Sequence, residues 1–338
     1  MDTLTEQQQK MTSRFEFIAP LGTETGNGCI SMLGENLSEF RQLADKATIS
    51  PLGDRGVIAV TGPDVINLLQ GQLTCDMSQL AATGSLKGAL CDSKGRMVSS
   101  FLCLQRATDD VLLVVHRGLT GPTLETLRKY AVFYKVTLSD VTNEYLVFGI
   151  HGSTQPIAGA MTASISPELS LLVCPSLQGE ELWNALTQTL IPTGDDFWSY
   201  LLINAGEGEV RPETQGEFIP QMLNLQATGA VNFRKGCYTG QEIVARMQYL
   251  GKLKRRMYHL ETQGDSLCNP GDVVNCDGKA NVGTVVLATA IEGGQSLLVV
   301  LTEEAAAAQS LEIGAYQGPV SRIELPYEGS LTETSGGQ

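Results

Sequence analysis

The sequence predicts an α+β fold that gives way, near residue 250, to a small antiparallel barrel or sandwich. Three observations predict it. Between residues 57 and 141, short apolar strands alternate with helix-patterned runs. From 144 to 194 the alternation returns in a shorter form. Beyond 250 the pieces are brief, β-rich and separated by Gly, Asn and Asp turns.

Residues 1–45 read as a loosely ordered lead-in, with Gly22, Gly26 and Gly28 close together. VIAVTG (57–62) is a strand, and PDVINLLQGQL (63–73) is a helix with Pro63 in its first turn. GALCDSKGRMVSSFLCLQR (88–106) is a hairpin turning at Asp-Ser-Lys-Gly. VLLVVH (111–116) is a strand, GPTLETLRKYAVF (121–133) a helix and KVTLSDV (135–141) a strand. EYLVFGIHG (144–152), LSLLVCP (169–175) and the helix GEELWNALTQTL (179–190) form a second, similar unit. DDFWSYLLINAGEGEV (195–210) reads as a further helix, N-capped by an aspartate. The expected domains are thus a lead-in at 1–45 and a first α+β unit at 46–143, completed by parts of 195–246. A second unit spans 144–194, a helix and turn segment 195–250, a barrel 251–328 and a disordered tail 329–338.

The 338 residues suffice for two or three domains with real cores. Lys plus Arg is 23 against 37 Asp plus Glu, a formal charge of -14, which argues against direct tRNA contact. The eight cysteines are scattered without a CxxC pair, as in a reduced cytosolic protein, and no metal site is expected. The N-terminus is polar and no run reaches membrane-spanning length, so the cytoplasm is the expected location.

One stretch carries candidate chemistry, FRKGCYTGQEIVAR (233–246). Thr239 and Glu242 have capping-box spacing ahead of an apolar-periodic run, so a helix should begin near 240. Gly236 permits a positive φ or a close approach. Cys237 then precedes a helix N-terminus, with Arg234 and Lys235 beside it, and this field favours negative charge on the sulfur. Cys237 is a candidate nucleophile, redox-active thiol or transient metal ligand; a small residue in a tight turn explains the spacing equally well.

KGCYTGQE also resembles the signature of the YgfZ family of folate-binding, tRNA-modifying proteins. GQLTCDMSQL (71–80), LCDSKGRM (90–97), LRKYAVFYKVTL (127–138) and the run 216–246 resemble the same family in order and spacing. The wider superfamily includes the glycine cleavage T-protein, an aminomethyltransferase. The resemblance implies two ferredoxin-like α+β units and a C-terminal antiparallel β-barrel around a central folate funnel. It implies a role in iron–sulfur cluster assembly or repair, and through radical methylthiotransferase clients in tRNA modification. Cys237 matches the family's cysteine and Lys235 its lysine, the two expected catalytic residues. Tyr238, Gln241 and Glu242 complete the motif near tetrahydrofolate or a folate derivative, although Glu242 reads first as a helix cap. Trp198 matches a tryptophan lining the folate site. A second such tryptophan falls near residue 55, where this chain has Arg55, whose guanidinium can also stack or pair with carboxylates. Asp92 sits in the hairpin turn. The aminomethyltransferases carry a catalytic carboxylate near the position of Ser99-Ser100, where this chain has none. The alternative function, a tetrahydrofolate-dependent one-carbon (aminomethyl) transferase, would therefore fall to Asp92 for its acid or base. A third is a module in which folate is only structural. The basic runs at 128–135 and 252–256 read as a helix C-terminus and a candidate partner contact.

Overall fold

Alternating strands and helices build two five-stranded sheets, a two-stranded ribbon of Thr23–Glu24 with Ile30–Met32 and a closed barrel in the computed structural model, which describes residues 13–18, 23–24, 30–32, 34–152, 157–251 and 253–333. The chain divides into two units. The first comprises Met1–Val65, Leu80–Leu86 and Leu102–Leu201; the second comprises Ile66–Gln79, Lys87–Phe101 and Leu202–Gln338.

In the first unit, the strand Tyr145–His151 is buried along its whole length. It pairs antiparallel with Leu169–Pro175 on one side and Thr48–Pro51 on the other. Met161–Ser164 and Ile191–Pro192 form the edges. An apolar run without polar alternation is what a strand covered on both faces requires. On one face Leu146, Phe148 and Ile150 pack with Trp183, carried by the helix Gly179–Leu186. Phe148 stacks on Trp183 with ring centroids 5.8 Å apart. Phe15, Ile18 and Ile30 fill the same cluster. The lead-in, expected to be partly ordered, therefore contributes core through its described residues; Gly22, Gly26 and Gly28 lie outside them.

A second five-stranded sheet runs Ser85–Cys91, Met97–Ala107, Asp110–His116, Arg55–Thr61, Thr137–Asp140. Arg55–Thr61 pairs antiparallel with both its neighbours. The helix Thr120–Ala131 buries Thr123, Leu124 and Leu127 at helical spacing. The expected hairpin is present, and its tip, Lys87–Phe101, belongs to the second unit.

The β-rich C-terminal region of the second unit closes into a six-stranded barrel. Its order is Arg255–Gln263, Gly294–Thr302, Lys279–Ile291, Val273–Cys276, Ser310–Ile313, Tyr316–Ile323. Arg255–Gln263 pairs with both Gly294–Thr302 and Tyr316–Ile323, which removes the free edges. Alternate residues Tyr258 and Leu260, with Val285, Leu297, Val299, Leu301 and Ile313, fill the interior. His259 points the other way, with Nε2 2.8 Å from Ser296 Oγ, and burial pulls its pKa down to about 4.

Two boundaries differ from expectation. The helix from 195 ends at Ala205, because Gly206 takes φ 68° and Glu207 N–H returns to Leu202 O at 2.9 Å. Its cap position is Gly194, while Asp195 and Asp196 sit in the first turn. In the expected disordered tail, Glu328–Glu333 is helical and buries Leu331; residues 334–338 lie outside the described residues.

Candidate functional site

The second unit builds its site by lacing two stretches together. Gln70–Cys75 exposes a row of backbone carbonyls, and residues 230–241 use nearly all of them. The Lys235 ammonium donates to the carbonyls of Gln70 at 2.7 Å, Leu73 at 2.6 Å and Cys75 at 2.8 Å. Thr239 N–H donates to Gly71 O, and Asn232 N–H to Thr74 O. The Thr239 hydroxyl donates to Gln72 Oε1 at 2.9 Å, and the Thr74 hydroxyl to Ala230 O at 2.7 Å. Asn232 Oδ1 accepts from the N–H groups of Arg234 and Lys235, shaping the bend before Cys237.

The turn that follows differs in detail from a capping box. The helix Gln241–Tyr249 begins where expected, but Gly240 precedes it at φ 83°, with no side-chain cap bond. Thr239 is drawn away to Gln72, and the Tyr238 N–H is met by Gln241 Oε1 at 3.2 Å. Gly240, rather than Gly236, is the glycine with positive φ. A Cβ built on Gly240 would stand 2.4 Å from Asp92 O, so the turn and the hairpin tip meet backbone to backbone. Gln221 Nε2 then donates to Val244 O and Asn224 Nδ2 to Met257 O, tying the helix to the barrel strand.

Above this lattice Cys237 is exposed; the other described cysteines are buried. Its neighbours in the motif point inward. Tyr238 is buried, its hydroxyl pushed above its ordinary pKa first by desolvation and then by Cys91. Cys91 is itself pushed up to about 12 by burial, with the Asp92 charge second. The Tyr238 ring lies 5.1 Å from Lys235 Nζ. Glu242 is exposed and Gln241 partly so. Asp92 Oδ1 accepts from the N–H groups of Lys94 and Arg96 at 2.8 and 2.9 Å, the geometry of a turn-forming aspartate. Lys235, expected to be catalytic, directs the three N–H donors of its ammonium to these three carbonyls.

Trp198 and Arg55 belong to the first unit. Trp198 is 1% exposed. Its ring lies flat against Gly149, where a Cβ would come within 2.4 Å of Cε3. A stacking platform needs an open face, so Trp198 as packed is a core residue and does not fit the expected folate-stacking role. Arg55 is buried, with Nε 3.1 Å from Asp54 Oδ1. Its carbonyl accepts from Arg14 Nη1, whose Nη2 reaches Tyr145 O at 2.6 Å. His116 pairs with Arg55 across the strands, and its Nδ1 accepts from Gly118 N–H. A cleft of about 750 Å³ in this unit is lined by Arg14, Glu16, Phe17, Asn143, Ser176, Leu177 and Glu180. None of the expected folate residues lies on it.

Sequence reasoning missed the partners of the cysteine turn: Gln70, Gln72, Thr74 and Asn232. The available signal was GQLTC, already conspicuous as a second block of resemblance. No cluster of three metal-ligating side chains occurs among the described residues, and no described helix is long and apolar enough to cross a membrane.

Comparison with known proteins fits this architecture. A family model, the GCVT N-terminal domain, matches residues 30–171. An uncharacterized protein of Haemophilus influenzae is 33% identical over 285 residues, covering 82% of this chain and 96% of its own. The tRNA-modifying protein YgfZ of Colwellia psychrerythraea is 34% identical, covering 71% and 79%. That of Shigella sonnei is 34% identical, covering 75% and 85%. Among solved structures, glycine cleavage system aminomethyltransferase T from Bartonella henselae superposes with TM-score 0.70 at 14% identity, covering 93% and 96%, a likeness of fold. With its cysteine turn, its five-stranded sheets and barrel, and relatives matched over most of their length, this chain belongs to the YgfZ family.

Proposed function

We propose that this protein is a cytoplasmic folate-binding accessory factor that supports iron–sulfur cluster assembly or repair, and so tRNA modification by radical methylthiotransferase clients. The observation that carries this reading is Cys237, an exposed thiol on a turn whose backbone is fixed from below. A cysteine sulfur held in place is a soft donor that can ligate iron or attack an electrophile. The names of the relatives support the tRNA link.

Tetrahydrofolate or a derivative is kept as the ligand because the GCVT N-terminal domain match supports it. Asp92, Gln241 and Glu242 are polar groups of the expected site that stay exposed or partly exposed. Trp198 does not stack in this arrangement, and Arg55 is held against Asp54. The commitment of Asp92 Oδ1 to two backbone donors speaks for turn formation and against the one-carbon transferase reading.

The test is complementation. In a bacterial strain lacking its own relative, wild type restores methylthiolated tRNA, while Cys237→Ala folds, titrates with tetrahydrofolate and fails to restore it. Full complementation by Cys237→Ala overturns the proposal.

A further inference from the structure

We propose that the C-terminal end of the helix Gln241–Tyr249 is a binding site for single-stranded nucleic acid, with the Tyr249 ring as its stacking surface and Arg234, Arg246 and Lys254 as its phosphate contacts. The site depends on neither Cys237 nor folate and goes beyond the function proposed above.

The basic character is local. Residues 218–260 carry seven Lys and Arg against one acid, Glu242, a formal charge of +6, while the rest of the chain carries 16 cations and 36 acids. The total of -14, which argued against a nucleic-acid partner, therefore conceals one basic stretch, and polyanions respond to cations where they cluster. Arg234, Arg246 and Lys254 are exposed. Glu242 stands one helical turn before Arg246, yet among the described residues no ion pair engages any of the three cations. Tyr249 supplies the ring. It is 67% exposed, and Leu250 beside it 86%. The Phe233 ring meets Tyr249 edge to face, with centroids 6.0 Å apart and planes at 73°. This contact steadies Tyr249 and still leaves most of it open, the reverse of Trp198. A steadied ring with an open face can stack on any base. Ring and cations are also neighbours. Arg246 lies three residues before Tyr249, on the same side of the helix. Arg234 follows Phe233 in the chain, with its N–H held by Asn232 Oδ1 at 2.8 Å. Lys254 directly precedes the barrel strand Arg255–Gln263. An acidic protein would also be drawn to these cations. Two exposed apolar residues, however, make a small centre for a protein interface, which usually covers about 800 Å² a side. A duplex hides the base faces that the ring would meet, so the occupant is a single strand.

The experiment titrates the full chain into fluorescently labelled oligo(U) and oligo(dT) and follows anisotropy over a salt series, with Tm as the check on folding. Labelled duplex RNA of equal length, labelled polyglutamate and phosphatidylserine vesicles are the comparisons. One or both oligonucleotides bind, and log affinity falls against log salt with a slope of about -2, the value for three phosphates at about 0.7 each. Tyr249→Leu, which keeps apolar bulk without a ring, weakens binding by roughly tenfold at unchanged slope, and Tyr249→Phe keeps the wild-type affinity. Arg246→Gln and Lys254→Gln each weaken binding and reduce the slope by about 0.7. Absence of saturable binding to either oligonucleotide, equal affinity for the duplex, or wild-type affinity in Tyr249→Leu overturns the proposal. Preference for polyglutamate overturns it in favour of an acidic protein, and preference for the vesicles in favour of a membrane surface. Should Tyr249→Leu fail to fold, the two Gln variants decide: reduced slopes support the site and unchanged slopes overturn it. The complementation result is independent of this outcome, since oligonucleotide binding requires neither folate nor a client.

Discussion

Two glycines stand beside the two residues that the sequence marked most strongly, and they do opposite things. Gly149, in the first unit, makes room for the Trp198 ring and so closes that ring into the core. Gly240, in the second, lets a turn approach the hairpin carbonyl of Asp92 and so leaves Cys237 standing outside. A missing side chain admits whatever is adjacent. Where that is an aromatic ring, the result is burial; where it is another backbone, the result is a close-packed turn on which Cys237 stays exposed.

The contrast can be broken most severely at Trp198. Trp198→Ala removes a fully buried ring, and a loss of about 3–5 kcal/mol is expected in urea unfolding; a near-neutral outcome would mean the ring is not core. Gly149→Ala follows. Its Cβ meets three indole atoms at 2.4–2.7 Å, so overpacking should destabilise by about 1–3 kcal/mol. Gly240→Ala meets backbone at 2.4 Å and must hold φ 83°. It should destabilise similarly, by about 1–3 kcal/mol, and in addition alter Cys237 alkylation. If alkylation is unchanged, this account of the turn is wrong.

The cysteines sharpen the same contrast. Peptide mapping after native alkylation should find Cys237 modified and Cys91, Cys174 and Cys268 intact, released only by denaturant. Burial holds these three at about 12, 11 and 11. Their folded pKa values lie above the unfolded value, so the stability they contribute is complete below pH 9 and falls as pH climbs toward 11–12. The smallest expected effect is at Asp196, on the helix that carries Trp198. Desolvation first, and Glu35 second, raise its carboxyl to about 6. The stability it contributes is present below its unfolded pKa and lost as pH rises through 6. Asp196→Asn should therefore gain about 1 kcal/mol at pH 7, discounted for partial exposure, and flatten the stability curve between pH 4 and 7.

Much of the fold was legible because periodicity and turn chemistry agree locally. VIAVTG, the Asp-Ser-Lys-Gly turn and the Gly-Asn-Asp punctuation of the barrel each specify their element without help. In the lead-in the glycines drew the reading, and the core contribution of Phe15, Ile18 and Ile30 was not legible. The site was legible only in outline. Helix start and cysteine exposure follow from neighbours in sequence, but the Thr239–Gln72 bond and the carbonyl partners of Lys235 depend on residues more than 150 positions away. The packing of Trp198 was hidden for a related reason. Whether a ring is a platform or a filler is decided by the strand across from it, and nothing in residues 195–205 announces Gly149.

The span between Lys235 and its three oxygens, 160 to 165 residues, sets when the thiol acquires its surroundings. Long-range closures of this kind come late in folding, since the intervening chain must be gathered first. On the ribosome, residues 70–75 emerge well before their clasp is synthesised. A nascent or half-folded copy therefore carries the cysteine without its frame, and the competent arrangement arrives only with maturation of the polypeptide.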